Sequence, residues 1–225
     1  MGGQACVFYG AAEFSRDLDL VVLADTDNLK RLREALAQLD AQPVAVPPSN
    51  FDYLARGHAL HFRCRREDVR GLRIDVMSTL RGVAPFDELW GRRTTIELDG
   101  EFIDLLSFED LVTAKKTQRA KDWPMIQRLM ERVYFTSAAD VEFLLRELRT
   151  PELLIDLVQQ QPEAAAMSSR RPVQAAMVGD IEAVEKALRM KRTWSGLAIV
   201  RIGRRSSANW NSCAGLVDQA SGGPN

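Results

Sequence analysis

The sequence is poor in cysteine and histidine, the side chains that build disulfide frameworks and most zinc sites. Its 225 residues include three Cys and two His. Cys6, Cys64 and Cys213 are too few and too scattered for a disulfide framework or a Cys-x-x-Cys metal site. This usage indicates a reducing compartment, and we expect a cytoplasmic protein.

Long apolar runs and targeting patterns are missing as well. No stretch of about 18 or more apolar residues occurs, so no membrane-spanning helix is predicted. The start lacks a charged region followed by a long apolar run, so no signal peptide is predicted. We therefore expect no membrane partner.

The sequence has no large excess of basic or of acidic side chains. Thirty basic and 31 acidic side chains leave a formal net charge of −1, which argues against a uniformly basic nucleic-acid-binding protein. A local basic patch remains, because residues 189–205 carry six basic residues and no acidic one. We interpret that segment as a solvated helix end and tail, with a nucleic-acid contact as the alternative.

Several common catalytic signatures are also absent. Neither a Gly-x-x-x-x-Gly-Lys-Ser/Thr loop nor a Gly-x-Gly-x-x-Gly loop occurs, which removes two widespread ways of binding nucleotides. Without His-Glu-x-x-His or Gly-x-Ser-x-Gly, zinc-protease and serine-hydrolase functions lack support. His58 and His61 lie three apart on a predicted strand, so one metal site would need a bulge; one ring facing a cleft is the alternative.

The composition that is present is that of a globular protein, with 46% hydrophobic and 27% charged residues. Helical spacing of leucines predicts a helix over residues 26–39, and a short helical turn is expected over residues 4–10. Pro43, Pro47 and Pro48 are expected to break any regular structure. Apolar alternation and the hairpin signal Asp99-Gly100 predict strands over residues 18–23, 58–64, 72–77, 94–98 and 101–106.

After residue 106 the pattern becomes helical. Helices are predicted over residues 107–119, 123–134 and 141–148, from residue 150, and over residues 180–191. The fold class is therefore α/β (α+β), a small mixed sheet flanked by helices and followed by a C-terminal helical region. We expect an α/β core over residues 1–106, a helical region over 107–192 and a poorly ordered tail over 193–225.

Three carboxylates are the candidate catalytic groups. Asp17 and Asp19 lie two apart at the start of a strand, so their side chains share one face while the leucines between them face the core. Asp75 lies in the middle of another strand and shares a face with Arg73 and Met77. If the strands are neighbours, the three carboxylates converge, and such a cluster repels itself unless a cation is bound. Mg²⁺ is the usual cation when phosphate is the substrate.

A glycine pair precedes the carboxylates. Gly2 and Gly3 permit close approach of backbone N–H groups to a phosphate, and Ser15 and Arg16 could bind phosphate oxygens. The string from Gly2 to Tyr-Gly at residues 9–10, followed by Ser-Arg-Asp-Leu-Asp-Leu at 15–20, resembles the nucleotidyltransferase fold of the DNA polymerase beta superfamily. Within it, the chain is most similar to small bacterial proteins grouped with the abortive-infection, toxin-type nucleotidyltransferases.

The downstream sequence extends this resemblance over roughly residues 2–135. Members carry a third Asp in an apolar strand, here Asp75, and then a leucine-rich helix with basic residues, here Lys115 and Arg119 four residues apart on one helix face. Family members also have a helix and a strand before the glycine pair, so we expect the native start upstream of Met1. Glu13 stands where many members carry a basic residue.

The resemblance implies metal-dependent transfer of a nucleoside monophosphate from ATP or another NTP to an acceptor hydroxyl. Asp17 and Asp19 would hold Mg²⁺ or Mn²⁺ on the triphosphate, and Asp75 would bind a second metal ion or take the proton from the attacking hydroxyl. Gly2, Gly3, Ser15, Arg16, Lys115 and Arg119 would form the nucleotide-binding set, with Lys115 and Arg119 meeting the phosphates as fixed positive charge.

Two other functions stay open. One is a catalytically inactive relative that serves as a binding or interaction module in a toxin–antitoxin or phage-defence system, with a cognate antitoxin as partner. The other is an RNA-binding regulator that uses the arginine-rich end. The acceptor is equally open among tRNA, a protein hydroxyl and a small molecule. The three carboxylates favour the enzyme, and we expect their carboxyl carbons to lie within about 8 Å of one another, as a two-metal site requires.

Overall fold

The computed structural model of the chain describes residues 1–44, 51–116, 122–136 and 139–189. The chain divides into two compact units, and the boundary in the sequence falls between Leu144 and Leu145. The change from mixed to helical sequence falls earlier, near residue 106. Several sequence predictions concern residues outside the described ranges. These are Pro47, Pro48, Arg119, most of the basic segment and the tail.

The first unit contains the strands β1 Asp17–Val21, β2 Ala41–Pro43, β3 Leu60–Cys64, β4 Arg73–Met77, β5 Thr94–Leu98 and β6 Glu101–Leu105. Its helices are α1 Gly2–Phe8, α2 Thr26–Gln38, α3 Phe51–Ala55, α4 Phe86–Arg92, α5 Phe108–Lys115 and α6 Asp122–Thr136, with a 3₁₀ turn at Glu67–Val69. The remaining helices are α7 Val141–Glu147, α8 Pro151–Gln160, α9 Pro162–Met167, α10 Arg171–Val178 and α11 at residues 181–189. The predicted strands and the hairpin are therefore present, and the fold class is confirmed.

The main sheet has four strands in the order β1-β4-β3-β2. β1 pairs with β4 in parallel, whereas β3 pairs antiparallel with both β4 and β2. Alternate residues of β3 and β4 are buried, as the period of two predicts. Leu29, Leu32 and Leu36 of α2 form one core cluster with these buried residues, so α2 covers one face of the sheet and leaves the polar face to the site.

Pro43 departs from the sequence prediction. It was expected to interrupt regular structure, yet it ends β2 and lies opposite Phe62 of β3. β2 is an edge strand of the described sheet. A proline is accepted in an edge strand because its missing N–H can face away from the neighbouring strand.

Besides α10, which has eight residues, three shorter helices were not predicted: α3, α4 and α9. Each has fewer than eight residues, and neither α4 nor α9 has a side-chain hydrogen bond at its N-cap. Such helices lack the periodicity and capping signals on which sequence patterns depend. They form because their apolar residues, such as Leu54 and Leu89, are buried by tertiary packing.

The start of α5 is fixed by a buried polar network. Ser107 caps the helix by accepting a hydrogen bond from the Asp110 amide, and its hydroxyl donates to the Asp110 carboxylate at 2.8 Å. The Arg92 guanidinium at the end of α4 donates to both oxygens of the same carboxylate, at 3.0 and 3.1 Å. The Tyr9 hydroxyl at the end of α1 contacts the Leu106 carbonyl and the Thr94 hydroxyl. These bonds tie α1, α4, the hairpin and α5 together.

The second unit consists of packed helices. The Arg170 guanidinium donates to the Leu145 carbonyl at 2.6 Å and to the Leu148 carbonyl at 3.3 Å, so it satisfies backbone acceptors at the end of α7. Burial, with the nearby charge of Arg149, lowers the pKa of Arg170 to about 10. None of the described helices is both long and apolar enough to cross a membrane.

Arg92→Ala is expected to lower the free energy of unfolding by about 1–3 kcal/mol, because it leaves the Asp110 carboxylate, which is only 11% exposed, without its two-armed partner. Chemical denaturation with a fixed m-value measures the change. Arg66→Ala is the matched control, since its partner Asp68 is 61% exposed, and its effect should be smaller. Equal losses in the two variants would contradict a special role for the buried pair.

Candidate active site

The polar face of the sheet is set by strand register. In the parallel pair of β1 and β4, Asp17 lies opposite Arg73 and Asp19 lies opposite Asp75. In the antiparallel pair of β3 and β4, His61 lies opposite Asp75. Side chains of one parity therefore share one face across three strands, while Leu18 and Leu20 pack against the core on the other. The three predicted carboxylates lie on the same side of the sheet.

A cavity of about 590 Å³ opens over this face. Seven of the predicted site residues line it: Gly2, Gly3, Ser15, Asp17, Asp19, Asp75 and Lys115. Arg16 is not part of the lining, because its guanidinium lies over the Phe14 ring at 5.9 Å from the ring centre. His61 and Arg73 also line the cavity. Neither had a predicted role in the site beyond the alternative of a cleft-facing histidine.

The glycine pair encloses Asp19 from one side. Gly2 has a φ of +71°, and a Cβ at this position would lie 1.7 Å from Asp19 Oδ2. A Cβ on Gly3 would lie 2.3 Å from the Ser15 hydroxyl oxygen. The Gly3 amide donates to Asp19 Oδ2 at 3.4 Å. Glycine is therefore required at Gly2 by both conformation and space. The close approach of this backbone to a phosphate stays a prediction.

The Asp19 carboxylate is held in an environment that disfavours its charge. Burial raises the pKa of Asp19; the hydrogen bond from Gly3 opposes this shift, and the negative charge of Asp75 adds to it. Lys115, at the end of α5, lowers the same pKa more weakly. Two neighbouring carboxylates in a partly dehydrated cleft thus repel each other, and a bound cation would relieve that repulsion.

Asp75 is the most heavily contacted of the three carboxylates. His61 Nδ1 lies 2.8 Å from Asp75 Oδ1, and the Arg73 guanidinium donates to Asp75 Oδ2 at 3.1 Å. The other terminal nitrogen of Arg73 lies 3.9 Å from Asp17 Oδ2. The Asp75 side chain is 13% exposed, whereas that of Asp17 is 41% exposed. Asp75 is therefore oriented by two neighbours, while Asp17 is open to solvent.

The register is the signal by which these two partners could have been found. Arg73 lies two residues before Asp75 on the same strand, so they share a face in any sheet. His61 shares that face only in one pairing of β3 with β4, and a shift of one residue would reverse it. The sequence pattern alone does not choose between those pairings.

The donor set fits a hard divalent cation that arrives with phosphate. Within the described residues, no group of three or more His, Cys, Asp or Glu side chains is arranged to hold a metal ion. Mg²⁺, however, takes one or two carboxylates and completes its shell with phosphate oxygens and water. Asp17 and Asp19 on one strand, facing an open cavity, offer oxygen ligands of that kind.

Comparisons with protein-family profiles, with curated proteins and with solved structures found no match for this chain.

Asp19→Asn is expected to raise the melting temperature of the metal-free protein at neutral pH. Because burial raises the pKa of Asp19, the folded state holds that proton more tightly than the unfolded state, and stability falls as pH rises through the raised pKa. The asparagine removes this loss, and its amide oxygen can still accept from Gly3. The gain should be absent below the ordinary pKa of 3.8 and should grow as pH rises through the raised pKa.

Thermal melts from about pH 3 to pH 8 in a chelating buffer test this expectation. Asp87→Asn, at an exposed position of α4 outside the cavity, is the matched control for the substitution itself. A lower melting temperature of Asp19→Asn at neutral pH would mean that the ionised carboxylate stabilises the fold.

Gly2→Ala is expected to weaken binding of a magnesium–nucleotide complex at least tenfold, because the new Cβ would force the Asp19 side chain to move and a 1.4 kcal/mol loss already changes affinity tenfold. Isothermal titration calorimetry measures the affinity. Gly71→Ala is the matched control: Gly71 also has a positive φ, +87°, but a Cβ there would meet no atom within 4 Å. Equal affinities in the two variants would show that the space at Gly2 does not matter.

Proposed function

We propose that the protein is a metal-dependent nucleotidyltransferase that moves a nucleoside monophosphate from an NTP to an acceptor hydroxyl. The observation that carries the proposal is the cavity in which Asp17, Asp19 and Asp75 share one sheet face with a glycine pair at its edge. Three carboxylates on one face are costly for a surface that only contacts another protein, because they repel one another. The resemblance of the sequence to toxin-type nucleotidyltransferases agrees with this proposal.

The carboxylates of β1 are the proposed ligands of Mg²⁺ or Mn²⁺. Asp17 and Asp19 would hold the ion on the triphosphate, and the ion would supply charge neutralisation at the phosphate oxygens. The Gly3 amide and the Ser15 hydroxyl lie at the same edge of the cavity. The Gly3 amide donates to Asp19 Oδ2 at 3.4 Å and the Ser15 hydroxyl donates to the Asp17 carbonyl at 3.0 Å. Both would exchange these partners to donate to phosphate oxygens.

Asp75 is the proposed proton acceptor or the ligand of a second ion. As proton acceptor, its carboxylate would take the proton from the acceptor hydroxyl while that oxygen bonds to the α-phosphorus. The bond from the α-phosphorus to the bridging oxygen of the leaving pyrophosphate then breaks. In the nucleotide-free protein His61 and Arg73 hold the carboxylate in one orientation, and His61 would keep it there for proton transfer.

Lys115 supplies fixed positive charge near the proposed phosphate position. It lies at the last turn of α5, lines the cavity and influences the pKa values of both Asp19 and Cys6. Its ammonium is therefore near both Asp19 of β1 and Cys6 of α1. We propose that it offsets the charge of the leaving pyrophosphate.

A catalytically inactive module is the second candidate function. The Arg73 guanidinium already compensates Asp17 and Asp75, so the carboxylates do not require an ion for the fold to persist. Such a protein would bind a nucleotide or a cognate antitoxin in a toxin–antitoxin or phage-defence system. Under either function we propose a reducing cytoplasm, because Cys6 and Cys64 are buried free thiols.

Incubation with each α-labelled NTP and Mg²⁺, with and without bulk tRNA, tests the enzymatic proposal. We expect label in an acceptor with the wild type, loss of Mg²⁺-dependent NTP binding in Asp17→Asn and Asp19→Asn, and loss of transfer in Asp75→Asn. Removing a nucleophile-activating base typically costs a factor of about 10²–10⁴ in rate. Chelation of the ion should abolish transfer in the wild type.

Asp87→Asn is the matched control and should keep both binding and transfer, because Asp87 lies outside the cavity. NTP binding without transfer to tRNA, to protein or to small hydroxyl compounds would favour the inactive module. Failure of the wild type to bind any NTP in the presence of Mg²⁺ would contradict the proposed site as a whole.

A further inference from the structure

Arg73 lies at the centre of the carboxylate face, where the proposed function gives it only an orienting part. It is opposite Asp17 in the β1–β4 register and two residues before Asp75 on β4. One terminal nitrogen lies 3.9 Å from Asp17 Oδ2, and the other lies 3.1 Å from Asp75 Oδ2 and 3.5 Å from Asp75 Oδ1. A single guanidinium therefore joins the carboxylates of two strands.

The guanidinium occupies ligand positions that a divalent cation would need. It is a permanent cation with several donors in a rigid plane, and it matches carboxylates well. Asp75 Oδ1 already has His61 as a partner, and Asp75 Oδ2 has Arg73. A cation shared by Asp17 and Asp75 would therefore lie against the guanidinium charge unless that group moved away.

The surroundings of Arg73 allow it to leave. Its side chain is 42% exposed, and its long aliphatic stem permits a rotamer change within an open cavity. Arg63 of β3 is its cross-strand partner, and like charges directly opposite each other are unfavourable. Without the two carboxylates as partners, the guanidinium would still have the like charge of Arg63 opposite it on β3.

A nucleotide offers the displaced guanidinium new partners. Guanidinium groups bind phosphate oxygens in the same two-armed geometry as carboxylates. An ion on the carboxylates of this face would neutralise Asp17, and a triphosphate bound to that ion would lie within the same cavity. The exchange of carboxylate for phosphate keeps the arginine paired throughout.

We propose that Arg73 is an internal counter-cation that holds Asp17 and Asp75 in the nucleotide-free protein and moves to the phosphates when a metal–nucleotide complex binds. The proposal rests on the function proposed above. It has a specific consequence: a divalent ion alone competes with Arg73 and binds weakly, whereas an ion that brings a triphosphate gives Arg73 a new partner and binds tightly.

Binding of Mn²⁺ to the full chain, followed by electron paramagnetic resonance without nucleotide, tests this competition directly. Arg73→Gln should bind Mn²⁺ alone about tenfold more tightly than the wild type, as expected for removal of a charge-assisted contact. The same variant should bind Mn²⁺ with a non-hydrolysable α,β-methylene ATP about tenfold more weakly, because a phosphate contact is lost. No turnover is required for either measurement.

Two further variants separate the contact from a general change of charge. Arg63→Gln removes the same charge from the neighbouring strand and should raise the affinity for Mn²⁺ alone much less than Arg73→Gln does. Arg73→Lys keeps the charge but loses the two-armed geometry, so its Mn²⁺ affinity should lie between those of the wild type and Arg73→Gln. Circular dichroism verifies the fold, and Arg73→Lys provides the comparison if Arg73→Gln is unfolded.

The outcomes distinguish this inference from the proposed function. If Arg73 variants bind Mn²⁺ alone no more tightly than the wild type, while Asp17→Asn and Asp19→Asn lose the binding of Mn²⁺ with nucleotide, the counter-cation is wrong and the nucleotide site stands. If the wild type binds Mn²⁺ neither alone nor with nucleotide, both proposals fall. An equal gain of Mn²⁺ affinity in Arg63→Gln and Arg73→Gln would also overturn the inference.

Discussion

The parallel register of β1 and β4 is the constraint on which the site depends. It sets Asp19 against Asp75 and Asp17 against Arg73, and thereby places three negative charges on one side of a small sheet. Folding must hold them there against their mutual repulsion. Arg73 and His61 provide compensation from the strands themselves, and the Gly3 amide and Lys115 provide it from α1 and α5. The polar surroundings of the cavity follow from that need.

Local patterns predicted the parts of this arrangement that have a short period. Alternation placed Asp17 and Asp19 on one face, and the leucine spacing of α2 and the cap at Ser107 predicted helices that the structure contains. The contacts that couple distant segments were not predictable in the same way. The pair of Arg92 with Asp110 joins residues 18 apart, and Pro43 is tolerated only because β2 lies at an edge. Tertiary packing decides both.

The same geometry is compatible with two levels of function. Arg73 compensates the charges of Asp17 and Asp75, so the fold does not depend on a bound ion. Under the counter-cation proposal, an enzyme would differ from an inactive module in the ability of that arginine to exchange its partners for phosphate. Asp75, well ordered by two contacts, and Asp17, open to solvent, differ in the way expected of a positioned proton acceptor and an accessible ion ligand.

The hydrogen bonds of the Tyr9 hydroxyl connect segments that are distant in the sequence. It contacts the Thr94 hydroxyl of the hairpin and the Leu106 carbonyl just before α5, while α1 carries the glycine pair and α5 carries Lys115. Hydrogen bonds thus join the two segments at the ends of α1 and α5 opposite Gly2 and Lys115. A single side chain that lies outside the cavity lining thus couples the segment that carries the glycine pair to the segment that carries Lys115.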